Sequence, residues 1–177
     1  MLKSLTLEEL KNQVANFSAV QCDYYSEACV VLLEELNHLS GALLTVLGDN
    51  STTFELLWTS KPLTAGWKAG AKLTENAATA IAFFLIVELT DYSIIEEAVI
   101  GTGVDYWLGY NKGHILYDED NFMNARLEVS GIRKGDLNVS GRVRKKLKQT
   151  DASDSTNLPA YVVIVEFGSP VAVLVKK

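Results

Sequence analysis

Cysteine and histidine are scarce in this sequence, with two of each among 177 residues. Cys22 and Cys29 form no CxxC pair, and only His38 and His114 accompany them, so a structural zinc centre lacks its ligands. On one helix the two cysteines would stand two turns apart, roughly 10 Å, which is too far for an undistorted disulfide. Both are therefore expected to be buried as small apolar side chains. No apolar run reaches the roughly 18 residues of a membrane-spanning helix. The longest candidate, residues 77–87, reads as a core helix, and no membrane association is expected. The N-terminal residues lack the apolar segment of a signal peptide, so a cytoplasmic location is the expectation. No GxGxxG, P-loop or GxSxG motif occurs, which leaves nucleotide-dependent and serine-hydrolase chemistry without support. The short Gly101-Thr102-Gly103 run is followed by a strand-like segment, not by the helix a dinucleotide site needs.

The chain does have enough apolar residues, 48%, for a real core, and its length suits one domain, or one domain with an extension. The net charge of −6 is unevenly spread. Between Arg133 and Lys148 stand Arg133, Lys134, Arg142, Arg144, Lys145, Lys146 and Lys148 against the single acid Asp136, a local +6 that leaves −12 on the rest. A cationic patch on an acidic protein suits a phosphate backbone; a solvated helix face pairing with acids elsewhere is the plainer alternative.

Periodicity predicts an amphipathic helix over residues 5–17, with Thr6 as N-cap and Glu9 completing a capping box. A second helix is expected over 22–39, ending near Gly41. A hairpin follows over 42–47 and 53–59, around Gly48-Asp49-Asn50-Ser51. Residues 61–72 read as a connection in which Trp67 is packed. Thr74 is the expected N-cap of a helix over 75–88, followed by strands at 92–100, 104–110 and 123–131. A cationic helix over 139–149 and strands at 161–167 and 171–175 complete the order. From Thr74 onward this is α-β-β-β-α-β-β, a fold of α/β class with a mixed sheet. The first three strands can form a meander, and the cationic helix can return the chain to pair 161–167 beside them. Residues 1–72 then form a two-helix and hairpin extension to a core of residues 73–177.

Two acids stand out within the strand-like segments. Asp105 lies in Gly101-Thr102-Gly103-Val104-Asp105-Tyr106-Trp107, and Glu128 in Arg126-Leu127-Glu128-Val129-Ser130. Strand alternation puts Glu128 and Ser130 on one face, which Asp105 can share if its strand is the neighbour. Two converging carboxylates make a site for a hard cation such as Mg²⁺. The plainer readings are a turn acid for Asp105, a ladder residue paired with Arg126 or Arg133 for Glu128, and a solvent-facing histidine for His114. Of Tyr106 and Trp107, at least one is expected in the core.

This order and these acids resemble the PD-(D/E)XK nuclease superfamily, the restriction-endonuclease-like fold, over roughly residues 74–167. The resemblance implies that Asp105 and Glu128 bind Mg²⁺ or Mn²⁺. Glu75 matches an additional glutamate found in members similar to archaeal junction resolvases. Ser130 departs from the pattern, because it stands where the family has a lysine. Serine carries no charge to stabilise an anion, so another cation must substitute, and Lys134 and Lys145 are the nearest candidates in sequence. The implied activity is metal-dependent hydrolysis of DNA, with Arg133, Lys134, Arg142, Arg144, Lys145, Lys146 and Lys148 holding phosphates. A homodimer would let so small an enzyme cut both strands. The alternative is a catalytically inactive nuclease-fold module that binds DNA or an unidentified protein partner.

Overall fold

The structure, a computed structural model, describes residues 2–49, 51–135 and 139–177. Asp136 of the basic stretch and Asn50 of the hairpin turn lie outside the described residues. The strands are β1 (Lys3–Thr6), β2 (Ala42–Leu47), β3 (Thr52–Leu57), β4 (Tyr92–Glu97), β5 (Tyr106–Tyr110), β6 (Ala125–Ile132), β7 (Ala160–Glu166) and β8 (Val171–Lys176). The helices are α1 (Leu10–Gln13), α2 (Ala19–Glu35), α3 (Gly70–Leu89) and α4 (Val139–Gln149). All eight strands join one mixed sheet in the order β1-β3-β2-β8-β7-β6-β5-β4.

The alternation of β7 shows how the layers form. Tyr161, Val163 and Val165 enter the main core with α2 and α3, while Val162 and Ile164 meet Val139, Val143 and Leu147 of α4 on the other face. A strand covered on both sides is apolar at every position, as this one is. The expected meander and crossover are both present. β4, β5 and β6 pair antiparallel, and α4 leads to β7, which pairs parallel with β6 from Arg126↔Ala160 to Ile132↔Glu166. α3 is long and apolar enough to cross a membrane by length and composition, but 67% of its most apolar window is buried inside the fold, as in a core helix. Cys22 and Cys29 are both buried and free, and Trp67 is packed, its indole N–H donating to Glu27 at 2.7 Å.

The N-terminal region departs from the predicted elements. Residues 5–17 are not one helix. β1 pairs parallel with β3, a 3₁₀ turn covers Leu7–Glu9, and α1 is a single turn. Leu5, Leu7, Leu10 and Val14 are all buried; Leu5 belongs to a strand alternation and the others to a helical spacing, so the pattern changes period at Leu7. Thr6 makes no side-chain cap. The capping box lies at Ser18 and Gln21 instead, which starts α2 three residues before the expected position. α2 ends at Glu35, four residues before the expected end, and Asn37 takes the left-handed conformation beside it, φ 64°; Gly41, also at positive φ, lies in the turn before β2. α3 begins at Gly70, so Thr74 lies inside it and donates its hydroxyl back to the Gly70 carbonyl at 2.8 Å. Residues 1–72 also share the sheet and core of the rest, because β2 pairs parallel with β8 and α2 packs on α3.

One irregularity in the sheet positions the site. β6 pairs with β7 over seven residues, Arg126–Ile132, but with β5 only from Ala125 to Leu127. Beyond Leu127 the two strands part, and α3 closes on β6 in the gap. A β-carbon at Gly131 would lie 2.5 Å from the Thr74 carbonyl oxygen, so glycine permits this approach. Gly131→Ala should therefore destabilise the fold by about 1–3 kcal/mol in urea denaturation, as overpacking does. Gly113→Ala, in open space, should be close to neutral.

Candidate functional site

Asp105 sits where β5 and β6 diverge. Its N–H donates to the Leu127 carbonyl at 2.9 Å, which is the last backbone contact before the strands part. Its Oδ2 then accepts the Val129 N–H at 2.8 Å, so the side chain takes over from the missing ladder. The preceding loop is fixed against α4. Gly103 has φ +75°, and a β-carbon there would lie 2.2 Å from the Gln149 carbonyl oxygen. Only glycine combines that conformation with that approach.

Glu128 lies on the face of β6 that α4 covers, and it is fully buried. Its Oε1 accepts hydrogen bonds from the Lys146 ammonium and, at 2.9 Å, from the Gln149 amide. Its Oε2 is buried and receives no hydrogen bond from any described donor, while the Glu128 and Asp105 carboxyls lie close enough to share a proton. Burial, and next the neighbouring Asp105 carboxylate, push the Glu128 pKa up to about 7, against the opposing pull of Lys146. A buried carboxylate oxygen without a partner is costly unless a proton or cation reaches it. The donor set, two adjacent carboxylates with one orphaned oxygen, fits a hard divalent cation.

α4 is held in place from its far end. Buried Arg126 donates to the carbonyls of Thr150 and Leu158, to Ser153 Oγ at 2.9 Å, and to Asp154 Oδ1 at 3.2 Å. These bonds clamp the 3₁₀ segment Thr150–Thr156, which continues α4 directly. The same segment bonds Lys177, whose ammonium is the largest cause of a lowered Asp154 pKa.

The gap between β5 and β6 opens into a cleft of about 700 Å³, with Glu75, Asp105, Ser130, Arg133, Arg142 and Lys146 in its lining. Glu128 lies beneath this lining, under Lys146. Glu75 is exposed in the second turn of α3, not the first. Arg142 reaches Ser130 Oγ at 3.5 Å, the outer limit of contact. Arg133 lines the cleft and pairs with Glu35 at 2.7 Å. The cation at Glu128 is therefore Lys146. Lys134 packs by the turn after β7, near Gly168, and Lys145 faces solvent on α4. Arg144 and Lys148 are likewise exposed. Among the described residues no group of three or more histidine, cysteine, aspartate or glutamate side chains converges as a ready metal cage.

Helical spacing holds the signal that would have singled out Lys146. Arg142, Lys146 and Gln149 recur at i, i+4 and i+7, so they share the face that meets β6. Gln149 and Arg126 were not anticipated as parts of the site; an uncharged amide and a residue read as a ladder partner carry no distinguishing pattern. Tyr106 is buried against Phe17 and Phe83, while Trp107 is half-buried. His114 is partly buried, stacked on Tyr110 with centroids 4.3 Å apart. Comparison with known proteins finds no matching family model, no matching curated protein and no matching solved structure.

The raised Glu128 pKa has a direct consequence for stability. Between 4.5 and about 7 the folded chain holds a proton on Glu128 that the unfolded chain releases. Stability therefore falls as pH rises through that window, and the penalty is complete above it. Glu128→Gln should remove this slope. Urea denaturation from pH 4 to 8 should show the native protein losing about 3 kcal/mol relative to the variant, at about 1.4 kcal/mol per pKa unit.

Proposed function

We propose that the chain is a metal-dependent DNA endonuclease with a restriction-endonuclease-like core, in which Lys146 stands in for the lysine missing at Ser130. The reading rests chiefly on the buried Glu128 carboxyl, whose Oε2 receives no donor, beside the Asp105 carboxylate. The order α3-β4-β5-β6-α4-β7 with its meander and parallel crossover supports the fold assignment. Asp105 and Glu128 would hold Mg²⁺ or Mn²⁺, with Glu75 on the cleft lining as a third candidate ligand. When bound, the ion would supply Lewis acidity at the scissile phosphate and lower the pKa of a coordinated water.

The remaining work falls to the chain's own groups. The Lys146 ammonium, held by Glu128 and Gln149, places a fixed positive charge on the cleft lining where an anionic oxygen can meet it. Gln149 holds Lys146 in that position, its Oε1 accepting from the ammonium at 3.1 Å. Arg142 and Arg133 border the same cleft and would grip flanking phosphates. Lys134, Arg144, Lys145 and Lys148 are exposed and would follow the backbone farther out, giving binding that weakens steeply with salt. A homodimer would present two such clefts to a duplex.

One observation favours a second reading. Lys146 already neutralises one oxygen of Glu128, which lets the fold tolerate the carboxylate without a metal. The chain would then be an inactive nuclease-fold module that binds DNA or a protein partner. Nicking of supercoiled plasmid in Mg²⁺ separates the two. The nuclease reading expects cleavage that Asp105→Ala, Glu128→Ala and Lys146→Ala each lower by about 10²-fold or more, while Lys134→Ala and Lys145→Ala retain most of it. Folded protein that binds DNA without cutting in Mg²⁺ or Mn²⁺ would support the second reading.

A further inference from the structure

A second cavity lies at the other end of the strands. Asp105 precedes the first residue of β5, whereas Tyr110, the last residue of β5, lines this cavity together with Tyr92 at the start of β4 and Tyr161 near the start of β7. Its volume is about 530 Å³. The tyrosine rings form one cluster. Tyr92 and Tyr110 lie 4.7 Å apart between centroids with their hydroxyls 3.3 Å apart, and Tyr92 meets Tyr161 edge-on at 5.8 Å. Val46, Leu47, Leu89 and Leu174 supply an apolar part of the lining.

The charges around these rings are arranged for a cation. Asp49, from the β2–β3 turn, and Asp91, from the turn after α3, both line the cavity. Both act on the Tyr161 phenol, whose pKa is raised first by burial and then by Tyr110, Asp91 and Asp49. The C-terminal end of α3 contributes Leu89 and Thr90 to the lining, and a helix C-terminus carries partial negative charge. The protein's own side chains already use these features. The Lys176 ammonium stands 5.9 Å from the Tyr161 ring centroid, and His114 Nε2 lies 4.0 Å from Asp91 Oδ2. An anion would meet two carboxylates and a helix C-terminus against Lys176, which disfavours it. A hard metal ion would want several oxygen ligands close together, whereas here the carboxylates come from separate turns and much of the lining is aromatic and aliphatic.

We infer that this cavity binds a small organic cation of the alkylammonium type, seated against the tyrosine cluster with its charge toward Asp91 and Asp49. The alkyl groups meet the aliphatic lining and the exposed parts of the tyrosine rings, and the charge is met by the two carboxylates. This binding is independent of the proposed nuclease site.

The test compares choline with its neutral isostere 3,3-dimethylbutan-1-ol, by calorimetry and by the NMR shifts of the tyrosine rings. Choline should bind about tenfold tighter or more than the alcohol, shifting the Tyr92, Tyr110 and Tyr161 signals. Asp91→Asn, at an exposed position, should weaken choline about threefold or more, while Asp105→Ala should leave its affinity unchanged. Equal affinity for the alcohol, no binding of choline to folded protein at tens of millimolar, or an unchanged affinity in Asp91→Asn would each overturn the inference.

Discussion

Parallel pairing of β6 with β7 forces the chain to cross the sheet between them, because parallel neighbours cannot be joined by a tight turn. In this fold the crossover contains α4, which lies over the face of β6 that carries Glu128 and Ser130. The arrangement at the site follows from that placement. It brings Lys146 and Gln149 to one carboxylate oxygen, Arg142 toward Ser130, and the Gln149 carbonyl against Gly103. The clamp from Arg126 to the segment after α4 fixes the crossover at its far end. On the opposite face α3 packs closely on Gly131, and β5 pairs with β6 only as far as Leu127. Asp105 occupies the point where the two strands part.

Such a site is held at a cost to stability. Glu128 is a fully buried acid with one oxygen unpartnered, and its neighbour Asp105 repels its charged form. Lys146 offsets part of this, which is why removing the lysine alone would leave an uncompensated charge. The surrounding layers supply the compensation: β7 is apolar on both faces, and α2 and α3 bury almost continuous apolar surface against the sheet. A buried carboxylate pair with a raised pKa inside an otherwise consistent core is the kind of arrangement that functional sites contain.

Much of the second half of this fold was legible in the sequence. The order of elements from α3 to β8, the meander, the crossover and the cationic helix all follow from period and turn chemistry, with boundaries displaced by a few residues. The N-terminal third was less legible. Leu5 belongs to a strand and Leu7, Leu10 and Val14 to a helical spacing, so a single window merged a strand with a helix. Thr74 and Glu75 looked like a helix start because their residue types suit one, yet Gly70 begins the helix and Thr74 bonds back to it. At the site, the two carboxylates and the basic helix were visible as types and spacings. Which lysine meets Glu128 depends on the rotation of α4 about its axis, which Val139, Val143 and Leu147 set by packing on β7. That packing turns Lys146 inward and Lys145 outward, a distinction that nearness in sequence to Ser130 does not carry.

The central claim is that Asp105 and Glu128 together form a divalent-cation site, and a Mn²⁺ binding isotherm tests it most directly. Calorimetry at pH 7.5 should give one saturable site in the native protein. In Asp105→Asn and in Glu128→Gln the affinity should fall by about tenfold or more, with both variants folded. Saturable binding that both variants leave intact, or no binding by the native chain at millimolar Mn²⁺, would contradict the account.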